Sequence, residues 1–451
     1  MKVRYLTDAC IVIEYKGKKL LCDPWLSESI CYGGLYHYPP IDIDINNYLD
    51  VDCIYISHIH EDHLDAETLQ YFSKEIPIVI HSYEEKHVYN RLKSIGFTNI
   101  YELKHKTKYE IAHKFTIEVL AADNCDPAIC FKFFGCKVSQ LYENSLQIDS
   151  MAVIQGGDYV VVNTNDCPYE LSHTMNPYIL KQYRKVDFLM TSYNAASPYP
   201  QSFENFTDAE KIVEKEKIRQ KCLDRAVKYC EDLKPEHIFP FAAQRVIGGK
   251  NYKLNKYTAT TPLEELESEL SLKLDKANQS VKVVLLNSQS YFNLETKTSS
   301  CEFMPPTAME REEYLKNIIG TKPYLFELPE YVIDKGNQGN LLEKFKVAQM
   351  RMKKKMDEVY YGMKIETVLY IDAFQDYIYK IPLNGEPVST VCRSEMKEPY
   401  LKLTLDYSLL NMILDRKAHW NNAEFGSFIS YLRKPNTFDR AVHHVISYLH
   451  T

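Results

Sequence analysis

The stretch Cys53-Ile54-Tyr55-Ile56-Ser57-His58-Ile59-His60-Glu61-Asp62-His63 holds the densest group of potential metal ligands in the chain. Its apolar beginning predicts a buried strand, and a turn with three histidines and an aspartate follows at once. In an extended turn, His58 and His60 project to the same side. Asp62 and His63 can then face a second centre. Imidazole and carboxylate groups suit Zn²⁺ or iron, so the turn predicts a site for one or two divalent metal ions.

A polar turn with ordinary core histidines is the alternative interpretation, but four ligands at this spacing favour the metal site. The chain has no G-x-S-x-G elbow, phosphate-binding loop or glycine-rich dinucleotide turn. These absences exclude the usual serine-hydrolase, nucleotide-triphosphatase and dehydrogenase patterns.

The composition is that of a globular protein with 451 residues, 45% of them hydrophobic and 25% charged. Lys and Arg number 54 against 61 Asp and Glu, for a net charge of -7, so we expect no nucleic-acid partner. The 12 cysteines form no C-x-x-C pair, and no apolar run is long enough to span a membrane. These features predict a cytoplasmic protein without membrane contact.

The pattern of short apolar runs divides the chain near residue 295. Residues 1–295 read as a β-rich, metal-binding domain, and residues 296–451 read as a C-terminal α+β unit. A charged amphipathic helix is expected over 209–233, with an apolar stripe of Ile212, Val213, Ile218, Cys222, Ala226 and Tyr229. In the C-terminal unit, helices are expected over 308–319, 340–357, 407–416 and 437–449, and strands over 367–374 and 377–381.

The histidine-rich turn resembles the H-x-H-x-D-H motif of the metallo-β-lactamase superfamily. That resemblance implies an α/β fold, the αββα sandwich of two mixed sheets, with the metal ions at one sheet edge. It also implies a bridging aspartate after a later strand. Val161-Val162-Asn163-Thr164-Asn165-Asp166 looks like that segment, so Asp166 is the expected bridging ligand. A structural aspartate in a turn is the alternative interpretation of Asp166.

Two further histidines of the hydrolase pattern have no clear counterpart. The segment before the bridging aspartate, Glu143 to Ser150, contains no histidine, and Ala242 stands where the last histidine is expected. Four other side chains could take their places: His37, His173, Asp123 and Asp149. Without them, the resemblance implies a mononuclear, weakly held or unusually open site.

A narrower resemblance is to the metallo-hydrolase-like region of CMP-N-acetylneuraminate hydroxylases, over roughly residues 5 to 295. It rests on Asp23-Pro24-Trp25-Leu26, His37-Tyr38-Pro39-Pro40, Tyr55 to His63, Asn163 to Cys167, Lys234-Pro235 and Pro240-Phe241-Ala242. Those enzymes hydroxylate a sugar nucleotide and use a Rieske [2Fe-2S] domain. The chain has neither C-x-H nor C-x-x-H, so we expect no intrinsic Rieske cluster. Either electrons would come from a separate protein, or the chemistry needs none.

These features predict a metal-dependent hydrolase that acts on a small, anionic metabolite through a metal-activated water. Asp62, as a ligand or proton acceptor, and His63 are the expected catalytic residues. An iron-dependent hydroxylase supplied by a separate electron donor is the second hypothesis. The third is a ligand-binding protein without activity, against which the intact histidine motif argues.

Five residues are expected to bind the substrate. The resemblance places Trp25 and His37 near the metal edge, as a pocket wall. From the C-terminal unit, Trp420, Asn421 and Arg433 are expected to approach from the opposite side, with Arg433 suited to a phosphate or carboxylate. The alternative interpretation of the Trp420 segment is a capped junction between a helix and a loop.

Overall fold

The structure is a computed structural model, which describes residues 1–121, 149–242, 244–332, 341–359 and 365–450. Up to residue 299, the described strands are β1 (Lys2–Thr7), β2 (Cys10–Tyr15), β3 (Lys18–Cys22), β4 (Ser29–Ile30), β5 (Leu35–His37), β6 (Cys53–Ile56), β7 (Ile78–His81), β8 (Ile100–Leu103), β9 (Thr107–Ala112), β10 (Phe115–Ala121), β11 (Ser150–Gly156), β12 (Tyr159–Asn163), β13 (Phe188–Thr191), β14 (His237–Pro240), β15 (Arg245–Ile247), β16 (Lys282–Val283), β17 (Tyr291–Asn293) and β18 (Thr298–Ser299).

Most of these strands form two mixed sheets. The first has the order β18-β17-β1-β2-β3-β6-β7-β8, and the second has the order β16-β14-β13-β12-β11-β10-β9. In each sheet an antiparallel meander continues into parallel strands, from β3 to β8 in the first and from β12 to β16 in the second. A small third sheet, β15-β5-β4, lies beside them.

An apolar core lies between the two large sheets, because alternate side chains of each sheet point inward. Val3 and Val79 from the first sheet and Ile117 and Ile154 from the second belong to this core. Two further apolar clusters join the outer face of each sheet to helices. These helices are Ala66–Leu69 and His87–Ile95 on the first sheet, and Asn176–Tyr183, Asp208–Leu233 and Leu263–Lys276 on the second. The predicted α/β sandwich of two mixed sheets is therefore confirmed.

The C-terminal residues form a sheet with the order β21-β20-β19-β22-β23 and have their own apolar core. Its strands are β19 (Val368–Asp372), β20 (Ile378–Ile381), β21 (Ser389–Val391), β22 (Tyr400–Thr404) and β23 (Ser430–Lys434). The helices after residue 300 are Ala308–Glu313, Leu341–Val359, Tyr407–Leu414, Trp420–Phe425 and Arg440–Ile446. The expected boundary at 295 lies within the hairpin that joins β17 to β18.

The helix expected over 209–233 is present as Asp208–Leu233, and only part of its apolar stripe is buried. Ile212 and Val213 are 46% and 54% exposed, whereas Ala226 and Tyr229 are buried. Only the second half of this helix contributes to the cluster under the second sheet, because its first turns extend past that cluster. In the described residues, no helix combines the length and the apolar composition needed to cross a bilayer.

Candidate metal centre

The predicted ligands meet at one edge of the two large sheets. The turn with His58 follows the carboxyl end of β6, and Asp166 follows the carboxyl end of β12. Asp149 lies at the same edge, because it precedes β11, which runs antiparallel to β12. The carboxyl ends of parallel strands share an edge, and side chains far apart in the sequence therefore converge there.

His58 and His60 turn ring nitrogens toward each other. His58 Nε2 lies 2.9 Å from His60 Nδ1 and 3.6 Å from a carboxylate oxygen of Asp149. On the other side of the ring, His58 Nδ1 contacts the Ser57 hydroxyl at 2.9 Å. This contact fixes the ring orientation so that Nε2 points into the cluster.

His63 brings a second nitrogen to the same place. His63 Nε2 is 3.5 Å from Asp166 Oδ2 and 3.7 Å from Asp62 Oδ2, while its Nδ1 is 3.0 Å from Asp23 Oδ2. One ligand atom each of His58, His63 and Asp166 lies within 4.8 Å of the others. Asp23 is fully buried and orients the His63 ring from behind, as outer carboxylates do for metal-binding histidines.

The chemistry of these side chains fits a divalent cation. His63 Nε2 and Asp62 Oδ1 are buried and have no hydrogen-bond partner among the described residues. Burial lowers the pKa of His58, and the neighbouring His63 and His60 lower it further, which favours the neutral, metal-binding form. Burial would also lower the pKa of His63, but Asp62 and Asp23 raise it well above its usual value. Such a concentration of carboxylates around an imidazole attracts positive charge.

A buried arginine occupies the far side of the cluster. Arg245 Nη1 lies 2.7 Å from Asp62 Oδ2 and 3.4 Å from Asp8 Oδ2. Burial would lower the pKa of Arg245, but Asp62 and Asp8 raise it, so the guanidinium stays charged. Arg245 begins β15 and pairs with His37 of β5, which sets its position. No sequence pattern pointed to Arg245 beyond its place shortly after Ala242.

Four side chains were possible substitutes for the missing histidines. Among those that the structure describes, only Asp149 lies close to the centre. His37 instead stacks on Trp25, and His173 stacks on Tyr169. Asp123 lies outside the described residues. Asp149 is therefore the candidate for the ligand that precedes the bridging aspartate.

The C-terminal unit covers this edge with the short helix Trp420–Phe425. The Phe425 ring lies 4.2 Å from the Arg245 guanidinium carbon and 6.0 Å from the His60 ring. Asn422 donates a 2.6 Å hydrogen bond to Glu61 in the histidine-rich turn. Sequence reasoning missed both residues, although their spacing of three places them on one helical face.

The side chains that were expected to bind substrate are not brought together. Trp25 is fully buried and stacks on His37 at 3.9 Å, and Trp420 is fully buried in the C-terminal core. His37 is held by Thr7 and by the Ser27 carbonyl. Asn421 and Arg433, by contrast, line a cavity of about 750 Å³. Substrate contact by these residues stays a proposal, and only Asn421 and Arg433 face a cavity.

Part of the chain is similar to known proteins. Residues 2–193 match the family model described as a beta-lactamase superfamily domain. Cytidine monophosphate-N-acetylneuraminic acid hydroxylase of Mus musculus is 27% identical over 269 residues, which are 58% of this chain and 42% of that protein. A putative Rieske 2Fe-2S iron-sulfur protein of Mycolicibacterium smegmatis is 25% identical over 54% of this chain and 43% of that protein. The chain thus spans less than half the length of these curated relatives.

Solved structures with a similar fold include an isothiocyanate hydrolase from Delia radicum gut bacteria, with a TM-score of 0.45 and 16% identity over 66% of this chain and 100% of that one. They also include CmlA, a diiron beta-hydroxylase from Streptomyces venezuelae, with a TM-score of 0.40 and 14% identity over 63% of this chain and 53% of that one. The predicted resemblance is confirmed: residues 2–193 match a beta-lactamase superfamily domain, the two mixed sheets are consistent with the metallo-β-lactamase fold, and the chain is similar to the CMP-N-acetylneuraminic acid hydroxylases.

Proposed function

We propose that the protein is a metal-dependent hydrolase that acts on a small, anionic metabolite. The observation that carries this proposal is a pair of buried atoms without a hydrogen-bond partner among the described residues: Asp62 Oδ1, and His63 Nε2 at 3.5 Å from Asp166 Oδ2. Buried polar atoms are rarely left without partners, so these two are available to a metal ion and to the water it binds.

His58, His60, His63 and Asp166 would hold the ion, with Asp149 as a further ligand. A bound Zn²⁺ or Fe²⁺ lowers the pKa of its water from 15.7 to about 7 and polarises the scissile group. Asp62 keeps one oxygen on Arg245, and its other oxygen is free to accept the proton of the attacking water. Phe425 and the helix that carries it exclude bulk water from this side.

Two adjoining cavities offer space for a small, anionic substrate. One, of about 640 Å³, includes Asp166 in its wall, and it shares Ala196, Ser197 and Arg440 with the 750 Å³ cavity that contains Arg433. Such volumes suit small metabolites.

Arg433 is the proposed anion-binding group of the second cavity. Its guanidinium lies 5.0 Å from the Phe203 ring, and among the described residues no carboxylate lies within 4.0 Å of it. A guanidinium without a carboxylate partner is suited to a phosphate or carboxylate of the ligand.

The test is the source of the oxygen in the product. Protein loaded with Zn²⁺ or Fe²⁺ is incubated with CMP-N-acetylneuraminate or bis(4-nitrophenyl) phosphate in ¹⁸O-labelled water. A hydrolase places the water label in the product, and His58→Ala abolishes this reaction. His113→Ala, which removes an exposed histidine, is the matched control and retains it. Unchanged substrates with either metal would contradict the proposal.

An iron-dependent hydroxylase is the second candidate, and the similarity to hydroxylases and to a Rieske protein favours it. Two histidines and a carboxylate, such as His58, His60 and Asp149, are a ligand set that suits Fe²⁺ in oxygenases. This reaction requires a separate electron donor. Label from ¹⁸O₂ in the product, dependent on an added Rieske ferredoxin, would replace the first proposal with this one.

A further inference from the structure

The two sides of the candidate metal centre differ in whether their carboxylates are paired with a positively charged side chain. Histidine nitrogens and Asp166 surround one side, whereas Asp62 on the other side is already paired with Arg245 at 2.7 Å. Asp62 and Asp8 are almost completely buried, and the Arg245 side chain is only 7% exposed. Breaking a buried pair of this kind leaves an uncompensated charge, so the guanidinium is held firmly in place.

The backbone explains how the guanidinium reaches this position. Ala242 follows β14 and has no side chain that could bind a metal, and its N–H donates to the Asp8 carbonyl. Three residues later, the pairing of Arg245 with His37 starts β15, while the Gln244 N–H donates to the Asp8 carboxylate at 2.8 Å. The same short segment thus ties Asp8 down and directs Arg245 toward Asp62.

We propose that the Arg245 guanidinium takes the place of a second metal ion, so that the centre binds a single divalent cation. This inference rests on the proposed metal-dependent function. The guanidinium pairs with Asp62 and Asp8, whose carboxylates would otherwise attract a second cation. A divalent ion placed beside the guanidinium would be repelled by its fixed positive charge, and this repulsion is strong because the site is buried.

The guanidinium also offers what a second metal would supply to a substrate. Arg245 Nη2 is buried and has no hydrogen-bond partner among the described residues. It is therefore a fixed, charged donor beside the centre, suited to an anionic oxygen of the bound molecule.

Metal stoichiometry tests the inference without reference to activity. Apo-protein is titrated with Co²⁺ in equilibrium dialysis, and the bound metal is counted per chain. The wild type is expected to bind one equivalent, and Arg245→Ala is expected to bind a second at the vacated carboxylates. Arg245→Lys keeps the positive charge and should stay at one. Arg219→Ala removes an arginine paired with Glu269, outside the centre, and serves as the matched control at one equivalent.

Two equivalents in the wild type would overturn the inference even if Arg245→Ala does not fold. A folded Arg245→Ala protein that still binds one equivalent would also overturn it, because the arginine would then be a structural ion pair only. EPR of the Mn²⁺-loaded wild type gives an independent measurement: an isolated ion is expected, and an exchange-coupled pair contradicts the inference. If no Co²⁺ binds to the wild type, the proposed metal-dependent function fails, and this inference fails with it.

Discussion

The turn after β6 and the segment after β14 meet at the same edge but build opposite halves of the centre. The turn after β6 places three histidines and an aspartate within six residues. The segment after β14 offers Ala242 and then a buried arginine. Under the proposed function, the first half would bind a metal ion from solution, whereas the second half carries its own positive charge. The comparison teaches that two carboxylates at this edge already have a fixed cation as their partner, whereas the histidine side chains have none among the described residues.

The largest effect is expected from substitutions in the turn with His58, His60 and His63, which we call the histidine half of the centre. His60→Ala should weaken metal binding by on the order of 1000-fold, since loss even of an outer-sphere partner costs about 10- to 100-fold. The fold should survive, because the His60 side chain is only partly buried. Equilibrium dialysis with Zn²⁺ measures the affinity, and circular dichroism checks the fold. His113→Ala is the control, and full metal retention by both His60→Ala and His58→Ala would exclude these ligands.

The segment with Ala242 and Arg245, which we call the arginine half, is held in position by the side chains packed behind it. Trp25 stacks on His37, which is the strand partner of Arg245, so Trp25→Ala should lower the free energy of unfolding by about 4 kcal/mol. Urea denaturation measures this change. Tyr71→Ala removes an aromatic ring that is 59% exposed and should change stability by less than about 0.5 kcal/mol. Equal effects of the two substitutions would contradict the supporting role of Trp25.

Low pH should also lower the free energy of unfolding, through the same packing of Trp25 on His37. Burial lowers the pKa of His37 to about 4 from 6.5, so the unfolded chain binds the proton more readily. The stability from a neutral His37 is therefore complete above pH 6.5 and is lost as the pH falls to about 4. The total is about 3 kcal/mol at 1.36 kcal/mol per pH unit. Urea denaturation across this range should show a smaller loss in His37→Gln, and an unchanged pH dependence would contradict the assignment to His37.

The smallest effect is expected away from both halves, in the cavity of the C-terminal unit. Arg433→Ala should weaken binding of CMP by about tenfold, through loss of a charge-assisted contact worth about 1.4 kcal/mol. Isothermal titration calorimetry measures the dissociation constant. The neighbouring Lys434 is exposed, and Lys434→Ala should leave the constant unchanged. Equal affinity in all three proteins would remove Arg433 from the binding site.

The positions of two expected substrate-binding residues were set by packing and helix geometry. Trp25 was expected in a pocket wall because its segment lies near the metal edge, but large apolar side chains contribute most when they are fully buried. Asn421 was expected to approach the substrate and lines a cavity with Arg433, whereas Asn422 and Phe425 of the same helix face the metal centre, since a shift of one residue turns a side chain by about 100° around a helix. Neither outcome can be read from composition or chain position alone.

The sequence by itself determined the fold class and the histidine half of the centre, because strand periodicity and ligand spacing act over a few neighbouring residues. Asp166 was also predicted, through the segment that resembles a known strand and ligand. Only the tertiary structure decided the position of Arg245 beside Asp62 and that of the helix Trp420–Phe425 over the centre. Arg245 and Asp62 are 183 positions apart, and Asn422 and Glu61 are 361 apart. Which carboxylate a distant charge neutralises depends on how strands and units pack, and no local pattern in the chain records that.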